Sequence, residues 1–538
     1  MTIERARAAL AGLVALAVGL GAAELMAGIM GNPDASPLRA VGDWFIEITP
    51  GWLAELAISW FGTADKLVLG IGMLAVLAVA GAAIGVLAVR NRPAGLIAAG
   101  LLLATAAVIV WSRRDAETSH LLPIAAAAVS LPTLTWLARR GERAAAEPSE
   151  TAEPSVPTTT TADDSVWPGR EPVRMMPTAA STVGTARRTF LRSAGGLAAL
   201  AVAAGGIGRW LGRERSGVEA SRDELTVDLD LPAADVPPEA DLDVSGAQPW
   251  RTPNDDFYLI DTAFSKPHVH PDDWTLRIHG MVEREVELTF DELVEMGLVD
   301  AWVTLACVSN PVGGDLIGNA LWTGVPVADV LALARPLPDA DAVKSTSHDG
   351  WTCGTPLDAL TDGRDALFAV GMNGEPLPVD HGFPVRMVVP GLYGYVSATK
   401  WVVELEVTRF DRFQAYWTTR GWSERGPIKV SSRIDVPDSS ATVAAGQVTV
   451  AGTAWAQHRG VEAVEVRVDD GDWTLADLGH VPTDDTWRQW VFSWDATPGE
   501  HTLQVRATTA DGEIQTGDEA PPAPDGATGF HTITVTAE

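Results

Sequence analysis

The long apolar runs of this 538-residue chain are confined to its first 211 positions. Five of them, roughly 8–30, 67–89, 94–111, 121–138 and 194–211, approach or exceed the ~18 to 20 residues that a helix needs to cross a hydrocarbon core. Such a chain is not one globule: a helical membrane region comes first and the soluble part follows it. Arginines set the orientation. Arg5 and Arg7 precede the first run, "RNRP" (90–93) joins the second to the third, and "RRGER" (139–143) follows the fourth. All three groups become cytoplasmic if the N-terminus lies inside, as the positive-inside rule prefers. Arg113 and Arg114 then fall outside, against that rule. Glu24 lies within the first run and is expected near the outer interface, reaching water. Trp44, Trp52 and Trp60 of the next loop suit a segment lying at the membrane surface.

Residues 1–140 thus read as a four-helix transmembrane region. Residues 141–186 are rich in Ala, Glu, Pro, Ser and Thr, a composition that buries no core and reads as a flexible cytoplasmic linker. The linker runs into "ARRTFLRSAGGLAALAVAAGG" (186–206). Paired Arg187 and Arg188, then Phe190-Leu191, then a weakly apolar Ala/Gly helix resemble a twin-arginine export signal placed mid-chain. Residues 187–215 are read as that signal and the fifth transmembrane helix. The implied product is a multi-pass protein of a bacterial cell membrane, with everything after residue 215 on the extracytoplasmic side.

Most of the excess acid behind the net charge of −31 lies in that exported part, which excludes nucleic acid as a partner because phosphate binding needs basic patches. Within 222–428, alternating strands such as "DWTLRIHGMV" mix with helix patterns such as "PVADVLALAR", without βαβ alternation, so an α+β domain is expected. Within 429–538, short alternating runs such as "QVTVAGTAWA", "VEAVEVRVDD" and "HTLQVRATTA" predict an all-β immunoglobulin-like sandwich. The two cysteines, Cys307 and Cys353, both lie in the α+β part. Cys307 of "WVTLACVSN" stands where a buried strand opens into a polar, glycine-bearing loop. A disulfide partner, a nucleophile and a ligand to a soft metal are all open to it.

"TLACVSNPVGGDLIGNALWTGVPVADVL", "NGEPLPVDHGFPVRMVVPGLYGYVSATKWV" and "FQAYWTTRGW" resemble the molybdopterin-dependent sulfite oxidase family. "AWAQHRGVEAVEVRVDDGDWTLADL" is similar to that family's C-terminal immunoglobulin-like dimerisation domain. The resemblance covers about 245–538 and implies a Mo-molybdopterin cofactor whose one protein ligand to the metal is a cysteine thiolate, at the position of Cys307. Cys353 matches no family ligand and reads as a small buried residue. The resemblance places Arg386 and His381 of "HGFPVR" on pterin-binding positions, and an Arg suits the pterin phosphate because it grips bidentately. Lys400 and the Ser397, Ala398 and Thr399 backbone match the next contact. Asn254 and Tyr258 of "TPNDDFYLID" match the first such segment, where a turn cap and a core aromatic are the plainer readings. Asp349 is placed in the site through a loop. Trp322, Arg420 and Trp422 join Cys307 as the catalytic set, with Trp422 standing where the family has a tyrosine.

Two departures bear on the substrate. Pro311 and Ile260 stand where animal and plant sulfite oxidases carry arginines that attract a small dianion, so attraction for sulfite is expected to be weak. The resemblance implies oxygen-atom transfer on a small sulfur compound, a related oxyanion or a sulfoxide, and leaves direction open. No haem is expected, since no "HPGG" or CxxCH segment is present and no histidine lies within the five runs. Electrons then pass through an external carrier, a quinone or a redox protein. A homodimer through the C-terminal domain is a further implication. A non-catalytic exported binding or sensor module on the same fold is the alternative, and a transporter ranks last, because the helices lack paired charges and broken-helix signals.

Overall fold

A computed structural model describes residues 3–31, 35–50, 53, 56, 60–61, 65–112, 121–146, 183–229, 231 and 235–538. The chain divides into two compact units: 1–44 with 60–215, and 45–59 with 216–538.

The described residues of the first unit are mainly helical. Among them, five helices are long and apolar enough to cross a membrane: Glu4–Ile29, Lys66–Arg90, Arg92–Trp111, Leu121–Arg140 and Arg188–Gly212. They lie within α1 (Ile3–Ile29), α3 (Asp65–Arg90), α4 (Arg92–Trp111), α5 (Leu121–Ala146) and α6 (Val183–Ser216), with α2 (Pro37–Ile48) between the first two. The "RNRP" segment folds as a cap: the Asn91 side chain accepts from the Ala94 amide at 3.2 Å, and Pro93 sits in the first turn of α4. Both ends of the expected linker are helical, α5 running on to Ala146 and α6 starting at Val183; at the first end the Glu, Arg and Ala residues after Gly141 are good helix formers. Residues 147–182, Arg113, Arg114 and Trp52 lie outside the described residues.

Small residues set the packing, as they do where backbones must approach closely in lipid. Gly12 abuts Gly81 and Gly85 of α3, Gly19 abuts Ala126 and Ser130 of α5, and Gly21 and Gly28 abut Ala201 and Gly208 of α6, each with no room for a methyl group. The last two pairs step in the same direction along both helices, so α1 and α6 run parallel. Glu24 departs from the expectation that it reaches water. It is 6% exposed, accepts a hydrogen bond from Ser36 and lies 3.5 Å from Arg209 Nε. A carboxylate beside tightly packed glycines has little route to solvent, so it is paired instead.

The second unit holds an α+β part and a sandwich. One mixed sheet has the order β2-β1-β10-β5-β6, with β1 (Thr275–Gly280) parallel to β10 (Val402–Thr408), and β2 (Val286–Thr289), β5 (Ala342–Ser347) and β6 (Thr352–Pro356) antiparallel to their neighbours. The other has the order β3-β4-β7-β8, built from β3 (Val299–Ala306), β4 (Ile317–Pro326), β7 (Leu367–Met372) and β8 (Glu375–Pro376), with β9 (Arg386–Val388) on β7. Buried Trp250, Trp274, Phe368 and Trp401 fill one core, and the Trp274 indole donates to Val402 O at 2.8 Å.

The sandwich faces a sheet of β11 (Ser431–Val436), β13 (Gly446–Trp455), β17 (Arg488–Ala496) and β16 (Asp477–Leu478) against one of β12 (Thr442–Val443), β19 (His531–Ala537), β18 (Gly499–Thr509), β14 (Val461–Val468) and β15 (Thr474–Leu475). Along β18, Leu503, Val505 and Ala507 are buried between more exposed neighbours, the period of two read from the sequence.

A Gly28→Leu substitution tests the α1–α6 crossing. Overpacking costs about 1–3 kcal/mol, so the helical unit should melt at a lower temperature in detergent. Gly72→Leu, at a glycine with open space around it, should leave the melting temperature unchanged.

Candidate functional site

Cys307 follows the last residue of β3 and is 8% exposed. Its N–H donates to Leu316 O at 2.9 Å, and its carbonyl accepts from the Asn310 amide at 3.1 Å, which turns the chain away from the strand. The Asn310 side chain closes the loop by accepting from the Leu316 amide at 3.0 Å. Burial pushes the thiol up from its ordinary range, while the Ser309 amide and hydroxyl, which hydrogen-bond the sulfur, pull the other way. Both cysteines are free, so the disulfide reading falls. Cys353 sits in a polar pocket of its own, 3.2 Å from Ser345 Oγ and 3.3 Å from Thr399 Oγ1.

The "HGFPVR" segment places a neutral imidazole and a charged guanidinium side by side. Gly382 has φ +114°, and a Cβ there would crowd Lys400, so only glycine fits the turn. Burial lowers His381 to about 4. Its Nε2 lies 3.0 Å from Asn254 O, so that nitrogen carries the proton, and Nδ1 has no partner. Arg386 is 4% exposed, donates to His381 O at 3.1 Å and stands 5.0 Å above the Trp322 ring. No carboxylate pairs with it among the described residues, and burial lowers it to about 10. Lys400 donates to Asp261 at 3.1 Å and to Asp380 O at 3.0 Å. Burial still outweighs the help of Asp261 and lowers it to about 8.

Seven of the expected residues meet in one cleft of about 840 Å³, measured with its open mouth: Cys307, Tyr258, Asp349, Arg386, Ala398, Lys400 and Trp422. Tyr258 is raised by burial and senses both Cys307 and Arg386. The other expected residues lie outside that lining. Trp322 is the shelf under Arg386. Asn254 positions His381 and is itself fixed by Asn373 at 2.7 Å and Glu375 at 2.6 Å. Ser397 donates to Tyr393 O at 2.9 Å, and Thr399 faces Ser345 at 2.6 Å. Arg420 is turned away from the lining, with its guanidinium 3.5 Å from the Tyr416 ring centre and donating to Tyr416 O at 2.8 Å.

Sequence reasoning missed Ser347, Trp351, Trp401 and Trp417 of the lining. Trp401 holds φ +50°, a strained conformation for a bulky residue. Its indole N–H, that of Trp422 and the Ser347 hydroxyl are buried without partners. Buried donors without acceptors are costly, and together with an unpaired guanidinium they fit a ligand carrying a phosphate and many acceptor atoms. Among the described residues no three His, Cys, Asp or Glu side chains converge well enough to hold an ion. A metal beside Cys307 therefore needs further ligands from a cofactor, as the pterin dithiolene would supply.

Residues 263–417 match the family described as "Oxidoreductase molybdopterin binding domain", and 431–505 match "Bacterial Ig domain". The chain is 29% identical over 309 residues to the mitochondrial sulfite oxidase of Homo sapiens, covering 49% of this chain and 56% of that protein. It is 31% identical over 153 residues to the "Uncharacterized oxidoreductase YuiH" of Bacillus subtilis, covering 28% of this chain and 74% of that protein. Among solved structures it is similar to the sulfane dehydrogenase SoxCD from Paracoccus pantotrophus, at 21% identity and a TM-score of 0.47, over 57% of this chain and 88% of that one. The chain spans about half the length of the sulfite oxidases that it matches.

The lowered Lys400 gives a pH test. In the empty cleft it loses its charge as pH rises through about 8, and binding an anion draws the proton back. Affinity of the cofactor-free chain for inorganic sulfate, read by thermal shift at constant ionic strength, should therefore fall above that pH by up to about tenfold per unit. Lys400→Gln should bind sulfate more weakly at pH 7 and show a flatter profile between pH 8 and pH 9.

Proposed function

Because the chain belongs to the sulfite oxidase family of molybdopterin-dependent oxidoreductases, we propose that it is a membrane-tethered enzyme that transfers oxygen atoms at a molybdenum centre outside the cytoplasm. The carrying observation is a single free thiol in the same cleft as a buried arginine that lacks a carboxylate partner. In this reading residues 222–428 form the oxidoreductase domain and 429–538 a dimerisation domain.

Cys307 would hold the metal. Arg386 and Lys400 would grip the pterin phosphate, and the Ser347, Trp401 and Trp422 donors would satisfy other acceptors of the ligand. His381, with its proton fixed on Nε2, presents Nδ1 as an acceptor. Trp322 and Asn254 act one step back, holding Arg386 and His381 in place. When bound, the molybdenum cofactor supplies the two-electron oxygen exchange. The chain's own part is to fix that group, exclude bulk water and shape the approach of substrate.

Ile260 lines the cleft, so an apolar side chain stands where a sulfite oxidase would place a charge, and Arg420 turns elsewhere. A small sulfur compound, a related oxyanion or a sulfoxide is the proposed substrate class, with sulfite itself weakly attracted. Electrons exchange with an external carrier, a quinone or a redox protein. The parallel run of α1 and α6 supports the topology: with Arg5 and Arg7 inside, Arg187 and Arg188 are inside too, and the oxidoreductase domain emerges outside.

Two experiments test this reading. Cys307→Ser should abolish molybdenum-dependent turnover while the purified protein still contains pterin, and full activity in that variant would remove the thiolate from the mechanism. Replacing Arg187 and Arg188 with lysine should leave the oxidoreductase domain protected from external protease in spheroplasts. Normal cleavage there would refute export through the twin arginine.

A further inference from the structure

We propose that the C-terminal sandwich is a positioning element of the Cys307 segment, acting through Gln457 on one side of the cysteine and Arg433 on the other. The inference rests on the functional reading above for what Cys307 holds, but its geometry stands alone. β3 is an edge strand, paired among the described residues with β4 alone. An edge leaves backbone groups unpaired, and buried ones must find partners elsewhere. Three residues before Cys307, the sandwich supplies them.

The Thr304 N–H donates to Asp485 O at 3.0 Å, and the Thr304 carbonyl accepts from Gln457 Nε2 at 3.1 Å. Its hydroxyl accepts from the Trp487 amide at 2.8 Å and donates to Asn319 on β4 at 2.9 Å. Thr304 is fully used, and three of its four bonds go to the sandwich. The junction is reciprocal: the Trp487 indole donates to Trp250 O at 2.8 Å, and the Trp250 indole returns a bond to Trp487 O at 3.3 Å. Both rings are fully buried.

The far side of the cysteine loop is held as well. Arg433 of β11 donates to Gly314 O at 2.8 Å and is itself fixed by Asp435 at 2.6 Å. Gly313, at φ +75°, packs against the His531 ring so closely that no side chain fits. His531 Nδ1 in turn accepts from the Ile434 amide at 3.0 Å. The segment carrying Cys307 is thus tied to the sandwich at both ends, and the loop between has little freedom to slide. A thiolate that must meet a metal held by another ligand needs its sulfur fixed within a fraction of an ångström.

The test uses the full chain in detergent, with and without cofactor. In the cofactor-free chain, Gln457→Leu removes the donor to Thr304 O, and alkylation of Cys307 by iodoacetamide should quicken about fivefold, as one lost hydrogen bond predicts. In the loaded chain the same variant should keep its molybdenum and pterin but shift the g-values of its Mo(V) electron paramagnetic resonance signal. The paired change Arg433→Met with Asp435→Asn removes the second tie without leaving a lone buried charge, and should act in the same direction. Val505→Ala, in the sandwich core, weakens the sandwich without removing a bond to β3, and should leave both readouts as in the parent chain. Unchanged alkylation and resonance in both tie variants, or equal shifts in Val505→Ala, would overturn the proposal. A chain that never carries molybdenum defeats the functional reading instead, and the alkylation result still decides the positioning role.

Discussion

The second unit is organised around the burial of positive charge. Arg386 and Lys400 are 4% and 8% exposed, yet one aspartate, Asp261, is the carboxylate bonded to Lys400, and Arg386 has none among the described residues. Taking a guanidinium out of water without a counter-charge costs several kcal/mol. Carbonyl acceptors and the Trp322 face offset part of that cost. The remainder is an affinity for anions stored in the fold. Lowered basicity at both cations and unpartnered donors on Ser347, Trp401 and Trp422 are the same fact from other sides: the cleft is complete only around a ligand.

That cleft joins elements far apart in sequence, and the fold explains how. The β3 strand leads into Cys307, β9 delivers Arg386, and the segment before β10 delivers Lys400 and Trp401. Because the Cys307 strand is an edge of its sheet, its outer side has to be covered, and the sandwich covers it. A domain that could act only as a contact surface between copies therefore also belongs to the framework of the site.

What could be read from the sequence follows from the range of the signal. Membrane-spanning length is a one-dimensional property, so the apolar runs were visible directly, as was the change to a period of two beyond residue 429. The Cys307 and "HGFPVR" segments stood out because each keeps several chemically distinctive residues within a few positions. Trp401 and Ser347 did not: their part in the cleft depends on a left-handed backbone at one and a register match between β5 and β10 at the other. Arg420 was expected in the cleft, yet its side chain stacks on Tyr416, a choice between rotamers that spacing does not encode. Glu24 was expected to reach water for a similar reason, since no local pattern revealed that Arg209, distant in sequence, would lie beside it.

The proposed function requires a bond between the Cys307 sulfur and molybdenum. X-ray absorption at the molybdenum edge of the purified full chain counts sulfur neighbours directly, comparing the parent protein with Cys307→Ala. One sulfur neighbour fewer in the variant, with the pterin retained, is the predicted result. An unchanged sulfur shell would contradict the assignment.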